Sequence, residues 1–248
     1  MKTFTTLLAL LLLATGPLTA QTATEIVRLA DEKMKGESSI GTFTMEIVRP
    51  SWKRSISMKS WTRGTDYSLT LITAPAAEKG KAFLMRQNEI WNWVPTVDRV
   101  IKLPPSMMMQ SWMGSDFTND DLVKQSSIVT DYTHTLVGEE KIEGREAWII
   151  ELRPRPDAPV VWGKIRAWIT KGDYLQLKAE YYDEDDFLIN TLLASQIKTL
   201  GGREIPSRLE MIPDGKPGHK TVLIYREIQF NQEIPDSFFS LQNLKRVQ

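Results

Sequence analysis

The sequence predicts a mainly β protein with some α: one curled antiparallel sheet of about a dozen strands, one N-terminal helix and one helical interruption halfway along. Three observations predict it. From Gly41 onward apolar residues recur with period two, the period of a strand with one wet and one dry face. Short polar turns such as Glu143-Gly144, Lys171-Gly172-Asp173 and Gly201-Gly202 separate these runs. A clear 3.6-residue period occurs once, over 22–35.

Residues 1–20 read as an export signal. Lys2 supplies the positive start, Leu7 to Ala14 the apolar core, Gly16-Pro17 the break and Leu18-Thr19-Ala20 the cleavage site. The apolar run is short for a membrane helix, which needs about 20 residues. The expected mature chain, 21–248, is exported to the periplasm and forms one domain, since no linker divides it.

Thr22 and Glu25 fit a capping box opening a helix with Ile26, Leu29, Ala30 and Met34 on one face, and Gly36 suits its left-handed end. This reads as a packing helix. Alternation follows at Phe43/Met45/Ile47, Ile56/Met58 and Tyr67/Leu69/Leu71. Phe83 and Met85 lead through the bend Gln87-Asn88-Glu89 to Trp91 and Trp93, which share one face of the return strand. Val97, Arg99, Ile101 and Leu103 alternate next. Later strands are expected over 132–137, 147–152, 161–170, 174–182, 187–198, 205–213 and 220–230. Pro235 to Ser240 reads as a short terminal helix pinning Phe238 and Phe239. So wide a sheet must curl, and curled with its dry face inward it exceeds an eight-stranded barrel, whose interior side chains just fill. The helical segments are the available plugs, and what they leave unfilled is an apolar cavity.

Between the strands lies the stretch that decides the functional reading. Pro104-Pro105 ends strand pairing, because proline has no N–H to donate. Met107, Met108, Met109, Trp112 and Met113 follow, then Gly114 to Leu122 as a capped turn with Ser115, Asp116 or Thr118 as the cap. Methionine suits surfaces that refit to different apolar partners. Trp91, Trp93, Trp112 and Met107 to Met109 therefore line either core or cavity; in a barrel this wide these are the same surface.

Other chemistry is sparse. Of 248 residues none is cysteine, and Lys plus Arg equals Asp plus Glu at 31 each, which leaves no nucleic-acid footprint. There is no GxSxG elbow, phosphate loop or GxGxxG run. His134 and His219 stand apart, so no metal site is expected. Asp183 to Asp186 lacks the spacing of a calcium loop and reads as a solvated turn. Asp116, Asp120 and Asp121 show no partner nucleophile, so no catalytic residue, enzyme activity or cofactor is expected. A membrane β-barrel is disfavoured because Glu46, Lys53, Lys59, Lys164, Arg166, Lys178 and Glu180 occupy the second face, where they would be costly against lipid.

The stretch Trp91-x-Trp93-x-Pro95, Arg99, Pro104-Pro105, Ser111 to Phe117 and Asp120-Asp121-Leu122, with the closing Ile234-Pro235-Asp236-Ser237-Phe238-Phe239, resembles the periplasmic lipoprotein-carrier superfamily, the LolA/LolB-like proteins, in its outer-membrane lipoprotein-sorting branch. The resemblance implies an unclosed antiparallel β-barrel, here of about 11–13 strands, lidded by helices and holding acyl chains in its concave side. It implies a diffusing monomeric carrier of lipoprotein acyl chains or membrane lipid, in transient contact with membranes, between an inner-membrane donor transporter and an outer-membrane acceptor. The expected lipid-binding set is Phe83, Met85, Trp91, Trp93, Ile101, Leu103, Met107, Met108, Met109, Trp112, Met113 and Phe117. Arg49, Arg54 and Arg99 are the candidate gating arginines. A regulatory module of the same fold that holds a protein partner is the alternative.

Overall fold

The structure, a computed structural model, describes residues 21–87, 89–124 and 128–247, so the expected export signal lies outside the described residues. Helix α1 (Ala23–Lys35) opens as the capping pattern requires: the Thr22 side chain accepts from the Glu25 N–H at 3.2 Å, and Gly36 closes the helix at φ 64°. Thirteen strands follow: β1 (Ser38–Arg49), β2 (Trp52–Arg63), β3 (Tyr67–Ala74), β4 (Ala82–Arg86), β5 (Glu89–Val94), β6 (Arg99–Leu103), β7 (Tyr132–Ile142), β8 (Arg145–Pro154), β9 (Lys164–Thr170), β10 (Gln176–Tyr182), β11 (Leu188–Leu200), β12 (Arg203–Pro213) and β13 (Lys220–Phe230). A short helix α2 (Leu241–Leu244) ends the chain.

All strands belong to one sheet in the order β6-β5-β4-β3-β2-β1-β13-β12-β11-β10-β9-β8-β7, and each neighbouring pair is antiparallel. Two meanders are thus joined by the pairing of β1 with β13. The free edges are β6 and β7, which follow one another in the chain. The gap in the barrel is therefore spanned by the segment that connects its own rims, residues 104–131. Register shifts at Thr42/Phe43, Ser57/Met58, Leu136/Gly138, Gln176/Lys178 and Tyr181/Tyr182 mark bulges, which bend and twist the strands that carry them.

The expectation of a sheet covered on one side only is corrected over β2–β5. On the concave side, Met45, Ile47, Ile56, Met58, Ile72, Phe83 and Met85 pack with α1, Met108, Trp112 and Phe117. On the convex side, Trp61, Leu69, Leu71, Leu84 and Trp93 are buried under Ile234, Phe239 and Leu244 of the C-terminal tail. In β3, Leu69 and Leu71 thus face outward and Thr70 inward, the reverse of the reading that turned every apolar run toward the barrel interior. The tail is anchored by an ion pair between Arg63 and Asp236 and by Arg63 donating to the Ile234 carbonyl at 2.9 Å. Asp183 closes its turn by accepting from the Asp185 and Phe187 N–H groups at 3.0 and 2.9 Å.

Candidate functional site: a roofed cavity

The concave side holds a cavity of about 300 Å³. Val27, Ala30 and Met34 of α1 form one wall, and Trp112, Phe117 and Leu122 of the connecting segment form the roof. The curved sheet supplies the rest, with Met58 from β2, Leu192 from β11, Leu209 and Met211 from β12, and Leu223 and Tyr225 from β13. α1 is thus part of the cavity wall as well as a packing helix.

The roof is a self-contained loop. Its backbone groups satisfy one another: Trp112 donates to the Phe117 carbonyl at 2.8 Å, Asn119 to Gln110 at 2.9 Å and Asp120 to Met108 at 3.1 Å. Thr118 is the cap; its hydroxyl accepts from the Asp121 N–H at 3.1 Å, while the Asp121 carboxylate accepts from the Thr118 N–H at 2.8 Å. The roof's far turn is moored to the sheet by polar groups. Arg49 makes a two-pronged pair with the Asp116 carboxylate at 3.0 and 3.1 Å and donates to the Gly114 carbonyl at 3.0 Å. Arg54 donates to the Met113 carbonyl. The Thr221 hydroxyl donates to Asp116 at 2.6 Å, and the Asn190 amide donates to the Asp116 carbonyl at 3.3 Å. Arg99 stands exposed on the edge strand β6.

The residues expected to bind lipid are divided by this geometry. Trp112 and Phe117 border the cavity. Phe83, Met85 and Met108 are buried in the same concave core, Phe83 with its ring 5.2 Å from that of Trp112, and Leu103, Met107 and Met113 pack partly against that core. Met109 and Ile101 point outward, 49% and 48% exposed. Trp91 and Trp93 are on the convex side, associated with the tail and away from the cavity, because in β5 their parity is opposite to that of Ile90. Expectation also missed Leu192, Leu209, Met211, Leu223 and Tyr225. The alternation of β11–β13 carried that signal, but the Met- and Trp-rich stretch drew the reading away from it.

The lining has one polar region. Asp121 accepts from the Trp162 indole N–H at 3.0 Å, the Tyr181 ring packs on Trp162 at 5.1 Å, and the Tyr132 hydroxyl donates to the Trp162 carbonyl at 3.4 Å. Burial pushes the Asp121 carboxyl above the usual carboxylate range against the pull of its N–H donors, and burial likewise raises Tyr132 and Tyr181. Tyr225 is pushed up to about 12 by burial alone. The phenols are therefore neutral at physiological pH. Among the described residues no group of three or more His, Cys, Asp or Glu side chains is placed to hold a metal ion, and no helix is long and apolar enough to cross a membrane.

A family model described as "Uncharacterized protein"-like matches residues 64–246, most of the chain. The chain belongs to that uncharacterized protein-like family. Its fold is that of the LolA superfamily. A DUF1329 family protein from Desulfovibrio piger superposes with a TM-score of 0.81 at 24% identity, covering 90% of this chain and 97% of its own. A putative outer membrane lipoprotein-sorting protein domain from Vibrio parahaemolyticus gives 0.80 at 24% identity, with coverages of 90% and 98%. A LolA superfamily protein from Nitrosomonas europaea gives 0.79 at 25% identity, with coverages of 90% and 100%. No curated protein sequence matches the chain significantly.

Proposed function

We propose that this family member is a periplasmic carrier that takes an acyl chain of a lipoprotein or another envelope lipid into the roofed cavity and hands it on toward the outer membrane. The observation that carries the reading is the unfilled apolar space between the sheet and a roof held at its far end by polar bonds. The signal-like residues 1–20 and the LolA-type fold agree with it. At about 300 Å³ the cavity is at the small end of ligand sites, room for a single chain.

Burying an alkyl chain yields about 0.8 kcal/mol per CH₂, roughly 10 kcal/mol for a long chain before offsets. Lifting the roof to admit the chain costs part of this: the buried Arg49–Asp116 pair and the bonds from Arg54, Thr221 and Asn190 must break or shift. Such an offset keeps net affinity modest. Release then requires an acceptor with greater affinity, since transfer follows differential affinity between donor, carrier and acceptor. Residues 107–117 are the moving part, and Arg49 and Arg54 are the gating arginines.

Tryptophan fluorescence tests this. Adding monolauroylglycerol to delipidated protein should shift the emission of Trp112 in the roof, and Trp112→Phe should remove most of the shift. An unchanged spectrum, with delipidation also without effect, would count against the carrier reading.

A further inference from the structure

We infer that the cavity selects its ligand by the polar group as well as by the chain, taking an uncharged acyl ester or amide that carries a hydroxyl or N–H and disfavouring a fatty-acid anion. The inference rests on the carrier reading and deepens it. Its starting point is a buried donor without an acceptor. Trp112 borders the cavity and is 1% exposed, yet its indole N–H has no hydrogen-bond partner. An unpartnered buried N–H is costly, and a ligand carbonyl would satisfy it.

A second set of groups asks for the complementary chemistry. Asp120 and Asp121 both border the cavity, next to Trp162, Tyr132 and Tyr181. The Tyr181 hydroxyl makes no hydrogen bond to a described residue, and its ring is held on Trp162 beside that acidic pair. These oxygens call for a donor on the ligand. The one cation in the lining, Lys35, is taken by Asp31 at 2.8 Å. A carboxylate head would thus enter a low-dielectric space facing two buried acids, with no spare positive charge in the lining to neutralise it. A hydroxyl or N–H next to an ester or amide carbonyl meets both needs at once: carbonyl to Trp112, donor to the acids and Tyr181.

The test is displacement of the neutral fluorescent probe N-phenyl-1-naphthylamine from the full chain at pH 8. Three ligands of equal chain length are used below their micellar thresholds: monolauroylglycerol, methyl laurate and laurate. Monolauroylglycerol should displace at a concentration at least about tenfold lower than laurate, with methyl laurate between them, because charge burial and one or two hydrogen bonds separate the three. Asp121→Asn removes the charge but keeps an oxygen for the Trp162 N–H, and should narrow the gap by improving laurate. Tyr181→Phe keeps the ring on Trp162 and should weaken monolauroylglycerol about 2- to 10-fold while leaving methyl laurate unchanged. Laurate binding as tightly as monolauroylglycerol, or an undiminished gap in both variants, would overturn the selection and leave the carrier reading standing. A probe that never binds would instead remove the carrier reading itself, and this inference with it.

Discussion

Strands β4 and β5 present apolar side chains on both faces, and the two faces end differently. Outward, Leu84 and Trp93 meet Phe239, Leu244 and Ile234, which are 0%, 1% and 6% exposed, in a solidly packed cluster. Inward, Phe83, Met85 and Ile90 belong to a core that stops short of filling the barrel. The C-terminal tail presses aromatic and leucine side chains onto its face, whereas the roof inserts Met108, Trp112 and Phe117 but secures its far turn through Arg49, Arg54, Thr221 and Asn190. One cover is held by burial and is difficult to lift. The other is held largely by polar bonds, which water can replace when it opens.

Mutations should separate the two covers. The largest effect is expected for Phe239→Ala, about 3–5 kcal/mol of global stability from lost burial and a new void, read by denaturant unfolding, with ligand affinity of the folded fraction unchanged. Arg49→Met comes next. It leaves Asp116 buried without its cation, a loss of about 3 kcal/mol, and hydrogen exchange in 107–118 should quicken far more than exchange in β2–β4. A matched pair then probes packing on each side. Ala82→Leu on the convex side should cost about 1–3 kcal/mol by overpacking. Ala167→Leu, on the cavity wall, should cost less than about 1 kcal/mol while weakening probe binding severalfold. Equal costs for the two would erase the distinction between solid and hollow faces.

The smallest effect is a pH dependence where α1 meets β7. The His134 Nε2–H donates to the Ile128 carbonyl at 2.7 Å, and Nδ1 accepts from Thr24 at 3.1 Å, which fits a neutral ring. Burial, the largest influence, holds His134 below its ordinary 6.5, and Arg155 adds to this while the Ile128 carbonyl opposes it. The unfolded chain therefore takes up a proton first on acidification. This contribution to stability is complete above about pH 6.5 and declines as pH falls toward the folded value. Wild-type melting temperature should drop between pH 7.5 and 5, and His134→Gln should lose that part of the drop.

The strands, the N-terminal helix with its Thr22 cap, and the helical interruption were legible because each rests on local periodicity or local capping. Which face of β3–β5 looks inward was not. Ile90 points one way and Trp91 and Trp93 the other, so apolar residues lie on both faces and period two alone cannot choose between them. The choice is made by a tail more than 130 residues away in sequence, counting from Trp93 to Ile234. The roof was legible as a greasy segment after Pro104-Pro105. Its moorings were not, since Arg49–Asp116 and Thr221–Asp116 join residues 67 and 105 positions apart.

Native mass spectrometry of the protein as purified from its own envelope addresses the carrier proposal most directly, with Ala167→Leu prepared in parallel. A carrier should retain a bound acyl lipid, near one per chain, that is depleted in the variant and lost on delipidation. Wild-type protein that carries no acyl lipid and takes up none when offered, with the roof shown to open by hydrogen exchange, would contradict it.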